Sequence, residues 1–272
     1  MKYLNVACGN VFIEDNVWTN IDFTTHSPHI RKANLLVGLP FKENTFDVIY
    51  SSHFIEHIPK DQLEIFLSDC LRVLKPKGVI RLITPDLEFL AQEYLQNIHS
   101  KEYLKANFIS ALILDQCVRL TSGGNLAKLI NKIKNVDDVN MQTYVKQILG
   151  EEIFKEIYIS SESQISKAIK RIKKDPKMII NIFSIIWIRF IIKLLPKSFR
   201  NTNVSLAAIG ERHMWVYDFY TLRDSLKEVG FSDIQKTAFN ESTFEKYVFN
   251  ELDIHRSLPR KGLHQIFLEA TK

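Results

Sequence analysis

Two histidines and a glutamate fall within five residues, His53-Phe54-Ile55-Glu56-His57. On a helix His53, Glu56 and His57 stand at i, i+3 and i+4 and share one face. An imidazole titrates near neutral pH, so either His53 or His57 suits a general base. The same face could hold a divalent ion, although the Glu is at the wrong offset for the His-Glu-x-x-His zinc arrangement. A third reading is a plain helix start, with Glu56 exposed and His57 packed. The three stay open. Further on, His213, Trp215 and Tyr217 alternate. Such a set can wall an acceptor pocket, since Trp and Tyr faces suit a sugar or another ring; Trp215 could equally be core.

A second group lies near the N-terminus. Leu4-Asn5-Val6-Ala7-Cys8-Gly9-Asn10 reads as a strand entering a glycine turn, where the backbone can approach a ligand closely. Thirteen residues after Gly9, Asp22 ends the next apolar run. An acid there can accept both hydroxyl protons of a ribose, or can cap its own turn.

These residues need a frame to hold them. Strands are expected at Tyr3–Ala7, Thr19–Phe23, Asn34–Val37, Phe46–Ser51 and Val79–Thr84, with an amphipathic helix over Asp61–Leu74 that stops at Lys75-Pro76-Lys77-Gly78. A helix capped by Asp86 or Thr84 follows. From 98 to 212 the pattern is helical, broken at Gly123-Gly124, Gly150, Asp175-Pro176 and Pro196. The α/β rhythm returns with a helix over Tyr217–Val229 closed by Gly230 and strands near Asp233–Phe239 and Leu263–Ala270. The expected organisation is an α/β domain built from 1–97 and 213–272, interrupted by a helical insertion at 98–212 after strand five.

The Gly9 turn and Asp22 are joined by Leu39-Pro40-Phe41 with Phe46-Asp47-Val48-Ile49-Tyr50, and by Leu71-Arg72-Val73-Leu74-Lys75-Pro76-Lys77-Gly78. Together, in this order, they resemble the class I S-adenosylmethionine-dependent methyltransferases, small-molecule branch. Glu211-Arg212-His213-Met214-Trp215-Val216-Tyr217-Asp218 resembles methyltransferases encoded with surface-polysaccharide genes. The resemblance implies a Rossmann-like sheet of seven strands in the order 3-2-1-4-5-7-6, the last antiparallel. It implies S-adenosylmethionine as cofactor, with Ala7, Cys8 and Gly9 near its methionine part and Asp22 at its ribose. Asn34 and Leu35 would flank the adenine, and Ser52 and His53 would line the floor. His53 and His57 are then the catalytic candidates, and His213, Trp215 and Tyr217 the acceptor wall. No metal is expected; the alternative ligand set is His53, Glu56 and His57, similar to the Glu-x-x-Glu-His of some quinone and small-RNA methyltransferases. The chain departs from the family pattern in keeping one glycine in the Ala7-Cys8-Gly9 turn and in leaving little room for a helix between Gly9 and Asp22.

Charge and composition narrow the partners. Of 36 Lys/Arg and 31 Asp/Glu, residues 98–212 hold 19 and 10, leaving an acidic frame around a basic middle. Ten cations lie between Lys167 and Arg200 beside the apolar run Met178–Leu195, which suggests an anionic surface, whether phospholipid, nucleic acid or phosphorylated substrate; a solvated helix face for the cations and a buried core helix for Met178–Leu195 are the other readings. Two internal cations make that run a poor spanning helix. Aromatics are not interleaved with the Lys167–Lys177 charges, so nucleic acid is not the expected partner. RNA methylation and a non-catalytic cofactor-binding scaffold are the alternatives to methyl transfer onto a hydroxyl of a sugar or lipid-linked glycan precursor. Three scattered cysteines and no signal-like start give the expectation of a cytoplasmic protein, peripheral at the inner membrane face.

Overall fold

A computed structural model describes residues 1–159, 187–188, 190–205 and 210–272. The cluster Lys167–Lys177, the Asp175-Pro176 break, Arg189 and residues 178–186 lie outside the described residues.

Among the described residues seven strands form the main sheet: β1 (Tyr3–Val6), β2 (Trp18–Asp22), β3 (Ile30–Lys32), β4 (Phe46–Ser52), β5 (Leu74–Pro85), β6 (Ser232–Thr237) and β7 (Gln265–Thr271). They hydrogen-bond in the order 3-2-1-4-5-7-6, and β7 runs antiparallel to β5 and β6. This is the strand order that the resemblance implies. Strands β1, β4 and β5 are near-continuous apolar runs because both faces are covered. One face packs on α1 (Leu63–Val73) and α8 (Phe219–Val229), through Leu67, Cys70, Leu222 and Leu226. The other is covered by the segment leading into α9 (Asn250–Asp253), where Phe249 and Leu252 meet Tyr3, Trp18 and Tyr50. Arg81 lies wholly buried there, with Asp253 at 2.9 Å and Glu269 at 2.6 Å. An unpaired charge at that depth would be very costly, so the three hold the C-terminal segment against the sheet.

Strand three differs from the sequence expectation. It is Ile30–Lys32, and Asn34–Val37 is a turn in which the Asn34 side chain accepts the Leu36 N–H and its carbonyl the Val37 N–H. An Asn that bonds its own backbone competes with the ladder. Between β1 and β2 the chain makes turns and no helix, as the short Gly9–Asp22 interval implies.

After β5, Asp86 caps α2 (Leu87–His99) by accepting the Glu88 N–H at 3.0 Å. Four more helices follow, α3 (Tyr103–Val118), α4 (Gly124–Lys134), α5 (Val139–Leu149) and α6 (Glu151–Ile159); α7 (Lys197–Asn203) begins after Pro196. Helices α2–α6 share one apolar cluster that includes Leu90, Phe108, Ile130, Val145 and Phe154. The helical layer therefore recruits α2 as well as the residues beyond 98. It is pinned to the start of β7: the Leu263 N–H donates to the Gln147 carbonyl and His264 Nδ1 to the Ile148 carbonyl. Gly262 sits at φ +84°, and a Cβ there would lie 2.1 Å from the Ile148 oxygen. Only glycine allows this approach.

Candidate functional site

The strand order reverses between β1 and β4, which opens a crevice beyond their carboxyl ends. Two non-glycine residues, Ala7 and His53, take left-handed backbone angles there (φ 55° and 54°), one at the end of each strand. Such conformations carry strain and concentrate where a site must be shaped. Gly9 follows at φ +52°, and a Cβ on it would meet nothing within 4 Å, so the backbone faces open space. Asp22, at the end of β2, spans the turn. Its Oδ2 accepts the Gly9 N–H at 3.0 Å, and its Oδ1 accepts the Thr24 N–H and hydroxyl at 2.9 and 3.2 Å. A carboxylate has about four lone-pair sites, so acceptor capacity remains toward the open side. Burial pushes the Cys8 thiol up to about 12, so it supplies packing and no thiolate. Leu35 is buried in the core, whereas Leu36 and Val37 are exposed beside Asn34, as is Phe23 beside Asp22.

On the other side of the crevice the Glu56 cluster takes a form that no single helix face would give. Ser52 ends β4, the His53 N–H donates to the Ile83 carbonyl, and only Ile55–His57 form a short 3-10 turn. His53 and Glu56 approach nonetheless, Nδ1 to Oε1 at 3.2 Å. Glu56 is 0% exposed while His57 is half-buried, the reverse of a plain helix start. The cause is tertiary. The Glu56 carbonyl accepts the N–H groups of Met214 and Trp215 at 2.6 and 3.3 Å, and the Thr84 hydroxyl donates to Glu56 Oε2 at 3.2 Å. Burial alone would raise the Glu56 carboxyl, but the imidazoles of His53, His57 and His213 outweigh it and hold it well below the usual carboxylate range.

The two sequence-predicted bases are not equivalent. His53 Nε2 faces Gln265 Oε1 at 3.1 Å, and that amide is oriented by its own N–H bond to the Gly262 carbonyl at 2.7 Å. Both His53 nitrogens therefore face protein groups, and burial lowers its pKa. His57 Nδ1 donates to the Arg212 carbonyl at 2.7 Å, which fixes the tautomer, and Nε2 has no hydrogen-bond partner among the described residues. Its ring meets His213 edge-on at 4.9 Å. His213 is buried, which lowers its pKa to about 4.

Trp215 is 44% exposed and Tyr217 fully buried, with Lys60 Nζ over both rings at 5.7 and 5.2 Å. Trp215 is thus a surface ring and Tyr217 the core residue of the alternating set. Sequence reasoning missed Thr84, His264 and Gln265. Because β7 runs antiparallel to β5, its first residues reach the same edge as the end of β5, and the predicted strand at Leu263–Ala270 already carried that signal.

Among known families, residues 15–82 match the one described as "Methyltransferase domain". No curated protein matches the chain. Solved structures similar to it include a SAM-dependent methyltransferase from Archaeoglobus fulgidus, 13% identical over all of this chain and 86% of that one, with a TM-score of 0.38. Another, from Thermotoga maritima, is 12% identical over all of this chain and 82% of that one, with a TM-score of 0.39. The PH0226 protein from Pyrococcus horikoshii is 24% identical over 35% of this chain and 54% of that one, with a TM-score of 0.30.

Proposed function

We propose that the chain is a class I S-adenosylmethionine-dependent methyltransferase and that it methylates a hydroxyl of a sugar, most simply one carried by a lipid-linked glycan precursor. The residues present fit that cofactor: the Gly9 backbone beside open space, the spare acceptor capacity of Asp22, and the exposed apolar surface of Phe23, Leu36 and Val37. Bound S-adenosylmethionine supplies a methyl group already activated by its sulfonium charge. The protein's part is alignment and removal of one proton.

The observation that carries the acceptor class is the pairing of a free His57 Nε2 with the exposed ring of Trp215, on adjoining segments. An aromatic face binds a sugar through its C–H surface, and Lys60 above the ring can donate to a ring or anomeric oxygen. His57 Nε2 takes the hydroxyl proton, while the Arg212 carbonyl holds the ring in place.

A lipid-linked acceptor is supported by the helical layer. Trp187, Ile188, Phe190, Ile191, Leu194 and Phe199 are all exposed, next to exposed Lys193 and Lys197. Among the described residues no helix is long and apolar enough to cross a membrane. An apolar face edged by cations instead suits shallow insertion at an anionic surface, each cation contributing roughly 1 kcal/mol. Sedimentation with vesicles tests this. Binding should rise with anionic lipid, fall with salt, and be lost when Trp187 and Phe190 become Ser. Failure to bind any anionic vesicle at low salt would leave a soluble sugar as the acceptor.

A further inference from the structure

We propose that Glu56, His57 and His213 form a binding site for a divalent first-row transition ion. One ligand atom of each lies within 4.8 Å of the other two. Metal–ligand bonds of about 2.1 Å bring ligand atoms to within roughly 4 Å of one another, so the three atoms stand only slightly wider than a ligated set. The structure thereby replaces His53, part of the sequence-level alternative, with His213, which the chain supplies from more than 150 residues away.

Three further observations point to an ion. The groups that orient ligands are already in place: His57 donates its other nitrogen to the Arg212 carbonyl, and Glu56 Oε2 accepts from the Thr84 hydroxyl. Ligating imidazoles and carboxylates are regularly held this way. The two chain segments are also fixed without any ion, by the Met214 and Trp215 N–H bonds to the Glu56 carbonyl and by the His213 N–H bond to Gln116. Finally, Glu56 is a fully buried carboxylate whose ion-pair partner among the described residues is the His53 imidazole at 3.2 Å, with no Lys or Arg beside it. A dication would balance that charge.

Two imidazoles and one carboxylate favour Zn(II), Mn(II) or Fe(II) over Mg(II) and Ca(II), which prefer oxygen ligands. An ion held there would take the His57 Nε2 lone pair and so displace His57 from the base role proposed above; the existence of the site does not depend on that role.

The test is calorimetry on the full chain, stripped with chelator and titrated separately with Zn(II), Mn(II) and Mg(II). Wild type should take up one equivalent of Zn(II) or Mn(II) with a dissociation constant at or below about 1 µM, and bind Mg(II) about 100-fold more weakly. His213→Ala and Glu56→Gln should each weaken uptake about 100-fold, whereas His213→Asp, which restores a ligand, should recover most of it. Thermal melting identifies any variant that fails to fold. No stoichiometric uptake by wild type at about 100 µM ion would overturn the proposal, as would unchanged affinity in folded His213→Ala. S-adenosylmethionine titrated into the same samples separates the two ideas: cofactor binding without ion uptake removes the metal site alone.

Discussion

Replacing Asp22 with Ala should weaken S-adenosylmethionine binding about 30- to 150-fold. The carboxylate holds three protein donors, from Gly9 and Thr24, and keeps capacity for a further donor on the open side of Gly9. A hydrogen bond from a ribose hydroxyl to a charged acceptor contributes roughly 1.5–3 kcal/mol. Losing it together with the Gly9 tie that shapes the turn gives about 2–3 kcal/mol, and each 1.4 kcal/mol is tenfold in affinity. Asp22→Asn keeps an acceptor but not the charge and should fall between wild type and Ala. Calorimetry with the cofactor and with its demethylated product reads the difference, and both should weaken alike because the ribose is common to them. Unchanged affinity in folded Asp22→Ala would refute the placement of the ribose at β2.

His57→Gln should lower turnover about 10²–10⁴-fold with little change in cofactor affinity, and His53→Gln should cost far less because both His53 nitrogens already face protein groups. The opposite ranking in steady-state kinetics would reassign the base. Gly262→Ala should cost roughly 2–5 kcal/mol in urea denaturation, from a disfavoured φ and a backbone clash with Ile148; a loss below about 1 kcal/mol would show that the helical layer is not pinned there. Burial depresses His264 to about 3, so its contribution to stability is complete above the unfolded pKa of about 6.5 and is lost as pH falls toward 3. From pH 6.5 to 5 this amounts to roughly 2 kcal/mol, and His264→Gln should flatten that slope in denaturation curves taken at both pH values.

The sheet was legible because its strands are local apolar runs separated by turn residues. The Pro-Gly stop after α1 and the Asp86 cap are likewise short-range signals. Strand three was misplaced because Leu35-Leu36-Val37 looks β-rich, yet Asn34 folds its own side chain onto the following backbone and frees Leu36 and Val37 to solvent. At the candidate site, the spacing of His53, Glu56 and His57 suggested one helix face, whereas only Ile55–His57 form a short 3-10 turn. What buries Glu56 is the return of the chain at Met214 and Trp215, and what occupies His53 is Gln265 on the last strand. Neither contact leaves a local periodicity to read. His213 joined the cluster through the same return, so the acceptor wall and the buried carboxylate, separate in sequence, meet in space.

The most direct measurement is transfer of an isotopically labelled methyl group from S-adenosylmethionine to defined acceptor pools. The full chain would be offered lipid-linked saccharides, the same saccharides released from lipid, and total RNA. Label should appear as an O-methyl sugar in the saccharide pools, fastest with the lipid-linked form on anionic vesicles, and should be lost in Asp22→Ala at low cofactor concentration. Label entering RNA alone, or cofactor binding with no transfer to any saccharide, would contradict the account.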